Sequence, residues 1–110
     1  MRVHFSSERL QRLCESEKEL RKRYGKAGER VIRQRLDDMI DAANVAVLRT
    51  LAGHFEELQH DLKGSMSVRA HGGMRVVFRP YAQPPATKAD GGLDLVAITA
   101  IVVESIQDYH

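Results

Sequence analysis

The side chains best suited to chemistry on an anion crowd into residues 60–79, HDLKGSMSVRAHGGMRVVFR, and into the last three positions, Asp108-Tyr109-His110. Lys63, Arg69 and Arg75 supply fixed positive charge. His60, His71 and His110 supply imidazoles, whose unperturbed pKa of about 6.5 suits proton transfer near neutrality. Apolar side chains at every second position, Met66, Val68 and Ala70 and then Met74, Val76 and Phe78, read as the two strands of a hairpin. A two-residue Gly72-Gly73 turn would pair Ala70 with Arg75 and Val68 with Val77, mixing the faces. A three-residue turn, His71-Gly72-Gly73, pairs Ala70 with Met74, Val68 with Val76 and Met66 with Phe78, so that one face is wholly apolar. The same register sets Arg69 directly opposite Arg75 and Ser65 opposite Arg79. Opposed guanidinium groups repel, and the repulsion is offset either by water and salt on an open face or by a bound polyanion.

Such a face needs a sheet to belong to and a cover for its apolar side. Met1 to Phe5 alternates as a short strand, with Val3 on one face and Arg2 and His4 on the other. Ser6 or Ser7 then caps a helix with Glu8 in its first turn and Leu10, Leu13, Cys14, Leu20 and Tyr24 along it, ended by Gly25. A second helix over 27–43 carries Ile32, Leu36, Met39, Ile40 and Ala43 on one stripe with Val31 at its edge, and the four-residue pairs Glu29–Arg33 and Arg33–Asp37 on its exposed face. The two helices are expected to pair antiparallel, basic sides outward, over the apolar face of the hairpin. Val45 to Ala52 reads as a turn or two of helix ended by Gly53, and Phe55 and Leu58 as core anchors. PYAQPPATKADGG, after Arg79, holds all three prolines and two of the eight glycines and reads as an exposed loop. Leu93 to His110 reads as the last strand, apolar on both faces through its middle and therefore central, with Gln107 to His110 leaving the sheet.

At 110 residues the chain is one domain, 1–110, able to bury roughly 60–70% of its unfolded surface. The single cysteine, Cys14, excludes an internal disulfide and a cysteine-based zinc cluster. There is no Gly-rich phosphate loop, H-E-x-x-H motif or nucleophile elbow. No leader-like apolar segment follows Met1, and Leu95 to Val103 is too short to span a bilayer, so a cytoplasmic protein without membrane contact is expected. Residues 1–35 hold 11 Lys/Arg and 5 Asp/Glu, a balance of +6, against 6 and 10, a balance of −4, over 36–110. That asymmetry points to nucleic acid or an acidic partner on the basic part, Arg21, Lys22 and Arg23 above all.

The order strand, two helices, hairpin and long last strand, with H-x-L-K-G at 60–64, R-V-V-F at 75–78 and a terminal D-Y-H, resembles HigB-type toxins of the RelE/ParE superfamily of type II toxin-antitoxin systems. In two places the chain departs from that pattern: Gly64 runs straight into the hairpin, and the proline-rich loop is long. The resemblance implies an α+β fold, with a short N-terminal strand and two antiparallel helices packed on a mostly antiparallel sheet. It further implies cleavage of messenger RNA in the ribosomal decoding site without metal or other cofactor. The implied partners are the ribosome, mRNA and a helix-turn-helix antitoxin, with a monomer when free and a hetero-oligomer with the antitoxin. His60, Lys63, Arg75, Asp108, Tyr109 and His110 carry over as catalytic positions. Cleavage by 2′-hydroxyl attack needs a base, cations on the phosphate and an acid for the departing oxygen. The expected roles are Lys63 and Arg75 on the phosphate with Arg69 as a further contact, His60 and His110 in proton transfer, Asp108 orienting a histidine, and Tyr109 stacking on a base or assisting as acid. Two competing readings are a gyrase-poisoning toxin of the same fold, which needs no acid-base tail, and a non-enzymatic module working through its basic helices.

Overall fold

In chain order the elements are β1 (Arg2–Phe5), α1 (Glu8–Glu15), α2 (Glu17–Asp41), α3 (Val45–Arg49), β2 (Glu56–Glu57), a 3-10 turn at His60–Leu62, β3 (Met66–Arg69), a second 3-10 turn at His71–Gly73, β4 (Met74–Pro80) and β5 (Ala100–Asp108). They are those of a computed structural model that describes residues 1–109. The strands form one sheet in the order β1-β5-β4-β3-β2, parallel only between β1 and β5, and the fold is α+β.

The hairpin adopts the three-residue turn, pairing Met66 with Phe78, Val68 with Val76 and Arg69 with Arg75. Gly72 turns the chain at φ 66°, where a side chain would be strained. Met66, Val68, Val76 and Phe78 are buried together with Ile32, Leu36 and Met39 of α2, so the helices do cover the apolar face. Each such side chain contributes about 1.5–3 kcal/mol by leaving water. β5 lies between β1 and β4 with Ile101 and Val103 in the core and Val102 buried on the other face, which accounts for its double-sided apolar pattern.

Three features differ from the sequence reading. The first helix is broken at Ser16, which is extended and whose hydroxyl accepts from the Glu19 amide to start a new helix. Ser16-x-x-Glu19 is a capping-box sequence, a start signal that the apolar spacing overrides on paper but not in the chain. The helical run of α2 is interrupted at Gly25 (φ 78°, ψ 173°), where the sequence reading ends its first helix, and Glu29, buried beyond that break, is held by Arg21 at 3.1 Å and Arg33 at 3.6 Å. Arg33 also reaches Glu17 at 3.2 Å, and the Arg33–Asp37 pair does not form. On the C-terminal half Ile40 is 55% exposed, and Ala42 rather than Ala43 is buried.

The third difference is that residues 93–99 lie outside the five-stranded sheet, with Leu93 bridged to Thr87 and a turn at 95–97. Leu95 and Ile98 plug the core, and their carbonyls accept from the amides of Ala46 and Val45 in the first turn of α3. Helix-start donors need such acceptors, and an apolar run that supplies them leaves the sheet. No described helix is long and apolar enough to cross a membrane.

Candidate functional site

Strand alternation turns Ser67, Arg69, Arg75, Val77 and Arg79 of the hairpin away from the helices, together with Ser105 and Gln107 of β5, which pair with Val77 and Arg75. This outer face has two charged clusters, one at the hairpin tip and one at its base.

At the tip Arg69 stands opposite Arg75. None of the ion pairs among the described residues involves either of them or Arg79. Arg75 donates to the Gln107 side-chain oxygen at 3.3 Å, and the Arg69 guanidinium lies 5.0 Å from the centre of the Tyr109 ring, a cation–π contact. Because β4 runs between β3 and β5, that contact arches over Arg75. The Arg75 Nε–H is buried and donates to no acceptor, the one such side-chain atom among the described residues. Buried donors are nearly always satisfied, so an orphan of this kind marks a place where an acceptor belongs.

Backbone bonds hold the cluster in place. The Tyr109 amide donates to the Gly73 carbonyl at 3.1 Å, pinning the end of the chain to the hairpin turn. The Arg69 amide donates to the Gly53 carbonyl, and the Arg69 carbonyl accepts from Arg35 Nε of α2 at 2.8 Å. Gly53 has to be glycine: at φ 122°, a Cβ there would lie 2.9 Å from Arg35 Nε.

At the base Lys63, Gly64, Ser65, Arg79 and Gln83 line an open depression of about 340 Å³. Glu104 sits at a bulge in β5, where Val77 pairs with Ser105 and Phe78 with Val103. Its carboxylate crosses β4 to accept the Ser65 hydroxyl at 2.5 Å, which helps to explain why Ser67 and Val77 are buried on a face without helices.

The expected single pocket of Lys63, Arg75 and the terminal tripeptide is therefore divided. Lys63 belongs with Arg79 at the base. Arg75, four residues from Arg79 along β4, is about 13 Å from it at the usual strand rise. Gln107 and Asp108 do not leave the sheet but pair with Arg75 and Met74. Alternation consequently puts Tyr109 on the Arg75 side and Asp108 on the opposite, Met74 side. His110 lies outside the described residues.

His60 opens the 3-10 turn before β3, exposed and in left-handed backbone at φ 57°. His71 is exposed in the hairpin turn, and His4 stacks on Tyr81 with ring centres 4.1 Å apart. Arg21, Lys22 and Arg23 are exposed on α2, across the sheet from the outer face, and Arg21 is taken up by Glu17 and Glu29. Sequence reasoning missed Glu104, Gln107 and Arg35; only the odd-even position of Gln107 relative to Tyr109 offered a signal. Among the described residues no group of three or more His, Cys, Asp or Glu could hold a metal ion. No protein-family model matches the chain, and no curated protein is significantly similar to it.

Proposed function

We propose that the outer face binds single-stranded RNA and that the protein is a HigB-like, RelE/ParE-type toxin cleaving ribosome-bound mRNA and neutralised by a helix-turn-helix antitoxin. The observation that carries this reading is the opposed pair of guanidinium groups, Arg69 and Arg75, neither of which forms an ion pair among the described residues. A phosphate above the pair neutralises the Arg69–Arg75 repulsion and accepts charge-assisted hydrogen bonds from the guanidinium groups. Tyr109, already stacked under Arg69, offers an aromatic surface of the kind on which unpaired bases stack.

In the reaction a base removes the 2′-hydroxyl proton and the 2′-oxygen bonds to the adjacent phosphorus. The bond to the 5′-oxygen breaks, and that oxygen takes a proton from an acid. The arginines stabilise charge growing on the phosphate. Tyr109 and His110 supply the proton-transfer groups beside the tip arginines, and His60, in the turn before β3, contacts the RNA that flanks the cut. Asp108 acts from the far face on the position of that chain end, and Lys63 contributes charge from the base of the hairpin.

The test is a reconstituted translation reaction in which cleavage of a defined mRNA is mapped by primer extension. Wild-type protein is expected to cut within the ribosome-bound region, and Arg75→Ala to cut about 100-fold more slowly. Intact message with the wild type, or equal cutting by the variant, overturns the proposal. The same preparation assayed on gyrase with supercoiled DNA distinguishes the alternative toxin activity.

A further inference from the structure

We infer that the depression at the hairpin base is a second phosphate subsite and that, together with the tip, it fixes how RNA lies along the sheet; this rests on the RNA-binding reading above. Lys63 and Arg79 both line the depression, and neither forms an ion pair among the described residues. One Arg79 Nη donates weakly, at 3.4 Å, to the Pro80 carbonyl, which also receives the Gln83 amide at 3.1 Å. The remaining guanidinium donors and the Lys63 ammonium are left for a ligand. No carboxylate lines the depression itself, and Glu104, on the neighbouring strand, has one oxygen engaged by the Ser65 hydroxyl. That bond draws the acid toward β3 and keeps it out of ion-pair distance of Arg79.

The spacing sets the register of the strand. Tip and base lie about 13 Å apart along β4, beyond the gap between neighbouring phosphates of an extended single strand and close to that between next-nearest ones. The tip therefore holds one phosphate, the base holds the phosphate two positions away, and the intervening phosphate passes over Ser67, Val77 and Glu104. Glu104 repels that middle phosphate and lifts it off the sheet, so the strand touches the protein at the tip and at the base and bridges the gap between them. The ligand class is a single strand with at least three consecutive phosphates.

The experiment measures binding of 5′-labelled oligouridylates carrying one to six phosphates to purified full-length protein, away from ribosomes, as a function of salt. Affinity is expected to step up by roughly tenfold when the third phosphate is added. The Lys63→Ala/Arg79→Ala variant is expected to lose that step. Its slope of log affinity against log salt should be shallower by about 0.7 for the lost phosphate. A step that persists in the double variant, or a smooth rise with length in the wild type, overturns the inference. The Lys63→Gln/Arg79→Gln variant, checked by its melting transition, guards against a folding defect. Cleavage of ribosome-bound mRNA without a length step would sink the subsite alone. A length step without cleavage would sink the nuclease reading and leave the subsite standing.

Discussion

Two arginine-rich surfaces of the molecule behave in opposite ways. On α2, Arg21 and Arg33 converge on Glu17 and buried Glu29, so their charge closes a bend in the helix. On the hairpin, Arg69, Arg75 and Arg79 form no ion pair with any acid among the described residues, and one buried donor of Arg75 has no acceptor among them. Counting charges along the chain favours the first surface, where the net balance is +6 over residues 1–35. Counting partners in space favours the second. Positive charge that a fold has already neutralised is structure, whereas positive charge held apart from acids is capacity to bind.

The contrast can be broken by substitutions on each side. Arg75→Lys should lose nearly as much cleavage as Arg75→Ala, on the order of 100-fold, because an ammonium lacks the guanidinium fork. If lysine restores wild-type rates, charge alone suffices and the orphaned Nε–H is irrelevant. Glu29→Ala should instead cost stability, about 1–2 kcal/mol in urea unfolding, since it strips a buried carboxylate from arginines that remain half exposed and partly solvated. Folded Glu29→Ala protein should cleave at the wild-type rate.

Gly53→Ala sharpens the comparison from the other side, because it drives a Cβ into Arg35 and strains the contact that fixes Arg69. A loss of about 1–2 kcal/mol is expected from the positive φ alone, with weaker RNA binding in parallel. Replacing Arg21, Lys22 and Arg23 together by alanine should change cleavage by no more than about twofold, since these side chains lie across the sheet from the bound strand. A large loss there would transfer the binding role to the helices.

The smallest effect concerns Cys14. Burial, and secondarily Glu15, pushes its thiol up to about 11 from the ordinary 9.0. The folded protein then keeps this proton at pH values where the unfolded chain has released it. The sign follows from linkage: stability present below about pH 9 declines as pH rises from about 9 toward 11. At pH 8 the native thiol should resist alkylation, reacting at the rate of a free cysteine only in denaturant.

Much of this arrangement was legible before folding. The hairpin register followed from alternation alone, since only one turn length kept Met66, Val68, Val76 and Phe78 on a common face. The centrality of β5 followed from its apolar residues at consecutive positions. What escaped reading depends on competition between partners. Ser16 had a capping signal that a continuous apolar spacing concealed. Residues 93–99 carry strand-like side chains, yet the carbonyls of Leu95 and Ile98 are claimed by α3. The division of Lys63 from Arg75 required knowing which end of a strand each occupies, a distance that motif order does not encode.

The position of β5 has a consequence for how the protein comes into being. It emerges from synthesis after every other element of the fold, yet it is the strand that joins β1 to β4. The local hairpin can zip early, but long-range pairing must wait for β5. A nascent chain stalled before Ala100 thus exposes the inner edges of two unfinished half-sheets and carries no Gln107 or Tyr109 at the hairpin tip. The outer face of the hairpin is completed only when β5 docks between β1 and β4 and brings Gln107 and Tyr109 beside Arg75 and Arg69.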